Sequence, residues 1–402
     1  MNNHCLCCAS TELQDRVSFG PQPPSNRYGL CANSDQDTHP LIAVQCKSCG
    51  MLQLKDPMSI DMVRSRYEWI TYNEPEDHLD DLVRKLINLP GLDHNSRILG
   101  LTYKDDSTLK RLNEFGFQNT YRFDPKLDLN IENACAGLET IQAEYTQPTC
   151  AILKDKYGLA DLLSVRHILE HAHKPHDFIQ AIKTLVKPEG YLWFEMPDCS
   201  KFIKAADYPF IWEEHITYFS KELQARFFNI EKLELVENFV YPYQFEDSLI
   251  GIVKNVDAKV DSMDYEHDLL LRIEQGENFS KLFEERKKHV HDILCKWRLE
   301  KKKVAVFGAG HLAVKFINMY ECADLIECVI DDHPEKQKVR MPGSGLPIQG
   351  SDVMAEIDIC LLTLSSESEK RFRKNKGEYF ERGGVAFSIF VGNDNSIFSE
   401  AV

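Results

Sequence analysis

The chain has 402 residues, of which 43% are hydrophobic, which is too long for one ordinary core and leads us to expect two or three domains. A formal net charge of −16 argues against a dedicated nucleic-acid binder, whose affinity rests on neutralising phosphates, yet leaves room for an anionic small ligand in a locally basic pocket. The N-terminus lacks a basic region followed by an apolar run, and no stretch approaches the roughly 20 apolar residues of a membrane span, so we expect a cytoplasmic protein whose 13 cysteines stay reduced.

Four of those cysteines form two knuckles, Cys5-x-x-Cys8 and Cys46-x-x-Cys49, the second in VQCKSCGMLQL, where Gly50 closes the turn. Each CxxC turn presents two thiolates to one ion, and two turns complete a closed tetrahedral zinc site, which is structural because no position stays open. The intervening segment GPQPPSNRYGLCANSDQDTHP is rich in turn formers and holds Cys31 and His39, which with Cys7 are possible substitute ligands. Four buried structural thiols are the alternative.

An amphipathic helical pattern runs from Asp61 to about Leu89. Strands and helices then alternate. RILGLTY (Arg97–Tyr103) reads as a strand, STLKRLNEFGF as a helix, TYRFDP as a strand ending in Asp124, ADLLSV (Ala160–Val165) as a strand, HDFIQAIKTLVKPEG as a helix, and YLWFEMP as a strand. Strands separated by helices of this length predict a parallel sheet covered on both faces. From Asp257 to Lys303 helical spacing amid many charges predicts a solvated linker. A second alternation opens with KVAVFGAGHLAVKFINMY, where Gly308-x-Gly310-x-x-Ala313 separates a strand from a helix. Asp331 ends the next strand, 23 residues after Gly308, in the outline of a mononucleotide-binding half. A Rossmann-like scaffold that binds nothing at its glycine turn is equally compatible with these residues.

Ligands of a doubly wound sheet sit beyond the carboxyl ends of its strands. Lys104, Asp105 and Asp106 follow the first strand there, Asp124 ends the second with a carboxylate suited to two ribose hydroxyls, and the fourth runs out towards IWEEHITYFS, with Glu213, Glu214 and His215 in series. Glu213 by itself reads as a solvated side chain.

Taken together, the paired knuckles with PPSNRY between them, the segment ADLLSVRHILEHAHKPHDFIQAIKTLVKPEGYLWFEMPD, IWEEHITYFS, and GAGHLA with DDHPEKQKVRMPGSGLPI resemble the zinc-containing nucleotide-sugar C-methyltransferases of deoxysugar biosynthesis over nearly the whole chain. The resemblance implies an α/β protein with an N-terminal zinc-knuckle domain (1–60), a central class I methyltransferase domain of doubly wound, Rossmann-like type with a helical lead-in (61–256), a helical linker (257–302) and a C-terminal Rossmann-like domain (303–402). It implies S-adenosylmethionine (SAM) and structural Zn2+ as cofactors and a nucleoside-diphosphate keto-sugar as substrate, on a monomer or homodimer. His215 would remove the proton beside the ketone, with Glu214 its neighbour, and the enolate would attack the methyl group. The zinc ligands would be Cys5, Cys8, Cys46 and Cys49. SAM would be held by Gly100, Thr102, Asp105, Asp124, Tyr67, Arg166 and His167, and the nucleotide sugar more weakly by Gly308, Gly310, His311 and Asp331. Lys104, Arg166 or His167 would face the enolate oxygen.

The sequence departs from the family pattern around the cofactor. Thr102 and Asp106 stand where glycines are usual and Lys104 where asparagine is. Trp212 replaces a tyrosine, Glu213 a histidine, and Trp69 and Tyr72 change a segment that closes over the methyl donor. A second reading is therefore an epimerase, which needs the base and no methyl donor. A third is a binding protein that has lost catalysis, and a fourth, resting on GAGHLA alone, is an NAD(P)-dependent oxidoreductase.

Overall fold

The computed structural model describes residues 3–30, 37–70, 74–256 and 266–400. Cys31 and Tyr72 lie outside them.

Three sheets organise the chain. The first joins β1 (Leu13–Gln22), β2 (His39–Cys46), β3 (Leu52–Leu54) and the two-residue β8 (Thr217–Tyr218) in that order, antiparallel throughout. β8 comes from the middle of the chain, so the N-terminal sheet is completed by the segment that follows His215.

The second sheet contains β4 (Ile98–Gly100), β5 (Thr120–Arg122), β6 (Ala160–Arg166), β7 (Val186–Asp198), β9 (Leu233–Tyr241) and β10 (Asp247–Asn255), in the order β5-β4-β6-β7-β10-β9. The first four are parallel and β10 runs antiparallel between β7 and β9. Helices cover both faces. Leu79, Leu82, Val83, Leu109 and Leu112 bury one side against Ile98, Leu162 and Trp193. Phe178, Ile179, Ile182, Phe227 and Phe228 bury the other against Leu163, Phe194 and Leu249. This is the doubly wound architecture expected of the central segment.

The third sheet is fully parallel, with β11 (Val304–Phe307), β12 (Cys328–Ile330), β13 (Ile348–Gln349), β14 (Ile359–Leu362) and β15 (Val385–Ser388) in the order β13-β12-β11-β14-β15. The strand order reverses between β11 and β14, so a crevice opens beyond their carboxyl ends.

Two expectations need correction. The stretch from Asp61 to Leu89 is not one helix: Ile60–Val63 and Leu79–Leu86 are separate, and Arg64 leaves helical geometry at ψ 126°. Of the presumed linker (257–302), residues 257–265 lie outside the described residues, and the 34-residue helix Glu266–Leu299 is not a solvated bridge. It buries Phe279, Phe283, Val290, Ile293, Leu294 and Trp297 in a core shared with β1 and the third sheet. Exposed Lys281, Glu284, Glu285 and Lys288 fall between these positions and hide that stripe from a simple count of polar residues.

PPSNRY ties the three parts together. The Ser25 N–H donates to Glu213, Asn26 donates to the Val63 carbonyl, Arg27 Nη2 donates to the Asp61 carbonyl at 2.7 Å, and the Tyr28 hydroxyl donates to the Ala309 carbonyl at 2.7 Å. Glu213 is not solvated. Its carboxylate and the ammonium of Lys315 pair at 2.6 Å with both side chains fully buried, and Lys315 also donates to the Pro23 carbonyl at 3.0 Å. One buried pair thus joins the first, second and third parts of the chain two residues before His215.

Candidate functional site

At the N-terminal end, Cys5 and Cys49 approach to 3.5 Å between sulfurs and Cys8 and Cys46 to 3.6 Å, with all four sulfurs within 4.8 Å of one another. A tetrahedral ion with Zn–S bonds of about 2.3 Å needs sulfurs roughly 3.8 Å apart, so the four thiols fit zinc. Gly50 sits at φ +82°, donates its N–H to the Cys46 carbonyl at 2.8 Å, and leaves no room for a Cβ against Arg272. Arg272 in turn donates to the Cys49 carbonyl at 3.1 Å, locking the second knuckle to the long helix. The substitute ligands drop out: Cys7 stands outside the cluster, and His39 bonds the Asp56 carbonyl at 2.8 Å. Cys49→Ser should therefore reduce bound zinc to below about a tenth of an equivalent and lower the melting temperature, as measured by metal analysis and thermal unfolding. Full zinc retention in the variant would contradict the assignment.

A cavity of about 420 Å³ lies where the carboxyl ends of the second and third sheets face each other. Its wall carries five glutamates, Glu74, Glu139, Glu170, Glu214 and Glu246, and five histidines, His167, His171, His215, His311 and His333. Among the described residues, Lys336 is its one lysine or arginine.

Backbone contacts place His215. The Ile216 N–H donates to the Glu170 carbonyl at 2.7 Å, the Leu54 N–H donates to the Ile216 carbonyl at 2.9 Å, and the His215 N–H donates to the Trp212 carbonyl at 3.2 Å. Glu170 and His171 belong to the short turn Leu169–His171 that follows β6. The His171 and His215 rings meet edge to face at 4.8 Å, and Trp212 stacks on His311 at 4.3 Å.

Burial holds the His215 ring well below the usual histidine range, helped by the nearby His171, His311 and His167, so the ring is uncharged. Burial likewise lowers His171 and His311 to about 4. His167 goes the other way: burial opposes its charge, but Glu195, Glu74 and Glu170 outweigh it and raise it to about 10. Burial pushes the Glu246 carboxyl up to about 8.

The residues expected around SAM divide sharply. His167 lines the cavity; Gly100, Thr102, Asp105, Asp124, Tyr67 and Arg166 do not. Asp105 folds back under its own loop, where its carboxylate accepts from the Thr102 N–H at 2.8 Å and the Ser164 hydroxyl at 2.6 Å, and burial raises it to about 7. A Cβ on Gly100 would lie 2.7 Å from Asp105, so this glycine makes room for the aspartate. Asp124 caps the helix Pro125–Leu129 by accepting from the Lys126 and Leu127 N–H groups, both at 2.9 Å. The Tyr67 hydroxyl donates to the Tyr28 carbonyl at 3.1 Å. Arg166 is buried beneath the loop, donating to Glu195 at 2.5 Å, to Ser107 at 2.9 Å and to the Lys104 carbonyl, while the Lys104 ammonium pairs with Glu74.

On the C-terminal side Gly310 and His311 line the cavity, and Gly308 and Asp331 do not. Gly308 is at φ +103° and packs against Leu364 and Thr363. Asp331 is turned onto the glycine loop, accepting from the Ala309 N–H at 2.9 Å and from Lys336 at 2.8 Å.

The wall also holds residues that sequence reasoning missed: Glu170, His171, Glu74, Glu139, Glu246 and Tyr103. The signal for two of them was present, since RHILEH places His167, Glu170 and His171 at i, i+3 and i+4 directly after a strand. The cavity's acidic and aromatic end, with Glu74, Glu139 and Tyr103, fits the chemistry of a sulfonium-bearing adenosyl ligand even though Asp124 is not part of it.

Three family models match the chain in series: a zinc-binding domain over residues 5–62, a methyltransferase domain over 65–230 and a C-methyltransferase C-terminal domain over 253–391. Among curated proteins, the C-methyltransferase NovU of Streptomyces niveus is 24% identical over 239 residues, spanning 58% of this chain and 57% of that protein. Solved structures that align include a 1,6-didemethyltoxoflavin N1-methyltransferase of Burkholderia thailandensis (11% identity, 45% of this chain and 78% of that one, TM-score 0.30). A SAM-dependent methyltransferase of Anabaena variabilis aligns similarly (10% identity, 44% and 85%, TM-score 0.32). Among the described residues no helix is long and apolar enough to cross a membrane.

Proposed function

The chain belongs to the zinc-containing C-methyltransferase family, and on that premise we propose that it is a SAM-dependent C-methyltransferase acting on a nucleoside-diphosphate-linked keto-sugar. The observation that carries the reading is His215: a neutral imidazole held at the wall of the cavity by backbone bonds on its own and the following residue.

In this reading His215 takes the proton from the carbon beside the ketone. His167 lines the same cavity and can donate an N–H to the oxygen as negative charge develops there. Glu214, which accepts from the Asn26 amide at 3.4 Å, and the stacked Trp212 and His311 hold the substrate side of the pocket and keep water from the carbanion. Glu74, Glu139 and Tyr103 would hold the cofactor, which when bound supplies an electrophilic methyl group. Gly310 and His311, at the amino end of the helix His311–Met319, and Lys336 suit the diphosphate. The working division of the chain is a zinc domain, a methyl-donor domain and a nucleotide-sugar domain.

Calorimetry with SAM and S-adenosylhomocysteine, followed by mass spectrometry of a panel of keto-sugar nucleotides, tests this. Micromolar cofactor binding and a product that carries one methyl group in place of a hydrogen support it. No cofactor binding in the presence of every substrate sinks it. Epimerisation is the second reading, favoured by the loop after β4, whose Gly100, Thr102 and Asp105 do not reach the cavity. It predicts solvent deuterium in the keto-sugar without any cofactor.

A further inference from the structure

Glu170, His171 and His215 bring a carboxylate oxygen and two ring nitrogens within 4.8 Å of one another on the cavity wall. Glu170 is 2% exposed and neither carboxylate oxygen accepts a hydrogen bond; its ion contact is His167 Nδ1 at 3.6 Å. His171 is 4% exposed and its Nδ1 has no hydrogen-bond partner. Buried polar atoms are rarely left so, and three adjacent ones call for an explanation. The ion contact with His167 leaves both Glu170 oxygens and His171 Nδ1 without a hydrogen bond. The three are also held in place independently of their side chains. Glu170 and His171 share one short turn, and the Ile216 N–H bond to the Glu170 carbonyl fixes His215 against that turn.

Two imidazoles and one carboxylate with open space beside them are the donor set of a first-row divalent transition metal, distinct from the closed all-sulfur site of the cysteine knuckles. We propose that Glu170, His171 and His215 bind one such ion and that the bound ion blocks proton removal by His215. The first half stands on the ligand geometry. The second half rests on the reading of His215 as the base, since a nitrogen that coordinates a metal has no lone pair left for a substrate proton.

Cobalt(II) titrated into the zinc-loaded protein tests both halves. The expected result is one further equivalent of metal per chain, with the weak visible bands of nitrogen and oxygen ligation and no thiolate charge-transfer bands. Glu170→Gln and His171→Asn should each weaken cobalt binding by more than the roughly 10–100-fold that outer-shell changes cost, while keeping the cysteine-bound zinc and an unchanged melting temperature. Absence of a further equivalent at millimolar cobalt, cobalt seen only with thiolate bands, or binding that both variants retain would overturn the site. Deuterium uptake from solvent into a keto-sugar should fall in proportion to cobalt occupancy. Uptake unaffected by bound cobalt overturns the block alone. Absence of uptake in cobalt-free protein overturns the base reading and the block with it, and the site then stands or falls on the cobalt count.

Discussion

His215→Asn should lower turnover by roughly 10²–10⁴-fold, the range that a positioned general base contributes, while leaving substrate affinity within a few-fold. The asymmetry follows from geometry. Among the described residues no side chain holds the His215 ring by a hydrogen bond, and the segment is fixed by backbone bonds that asparagine keeps. The ring is contacted by the edges and faces of His171 and Trp212, so the change removes proton affinity and little packing. Solvent deuterium exchange into the keto-sugar is the direct measurement, because it reads proton removal apart from methyl transfer. A variant that exchanges at the wild-type rate would move the base elsewhere, with Glu214 the next residue to test.

Arg166→Met should destabilise the fold by about 3–5 kcal/mol, an effect on stability where a cofactor residue would show one on binding. Arg166 is buried and donates to Glu195, whose carboxylate is completely enclosed and also meets His78 at 2.8 Å and the Ser248 hydroxyl at 2.7 Å. Methionine fills much the same volume but leaves Glu195 short of its main counter-charge. Arg166 also holds the Lys104 carbonyl and so the loop after β4. Urea unfolding of the variant gives the number, and Arg166→Met combined with Glu195→Gln should recover part of the loss because the stranded charge is gone. A variant as stable as the wild type but unable to bind SAM would return Arg166 to the cofactor.

What could be read from the sequence was whatever depends on near neighbours. CxxC spacing declares a thiolate pair wherever the chain goes, and the alternation of strand and helix around RILGLTY and KVAVFGAG is a local signal. His215 and Glu214 were identified by resemblance, and the cavity does contain both. Glu213 could not be read, because its partner Lys315 lies in another sheet's helix and no periodicity links the two. Asp105 and Asp124 show the other side of the same limit. A carboxylate at the end of a parallel strand has the right address for a ribose, but the same address offers unpaired N–H groups of the next turn, and here Thr102, Lys126 and Leu127 took them.

The pairing of β8 with β3 has a consequence in the order of synthesis. Leu52 and Gln53 find their partners in Tyr218 and Thr217, so the edge of the N-terminal sheet stays open until the ribosome has delivered the segment just past His215. At about 5–20 residues per second that interval lasts on the order of ten seconds or more. Zinc can close the two knuckles early, but a nascent chain would still display an unpaired strand edge of the kind that invites foreign strands. The N-terminal sheet and the segment just past His215 are therefore completed together, late in synthesis, whatever the knuckles have already bound.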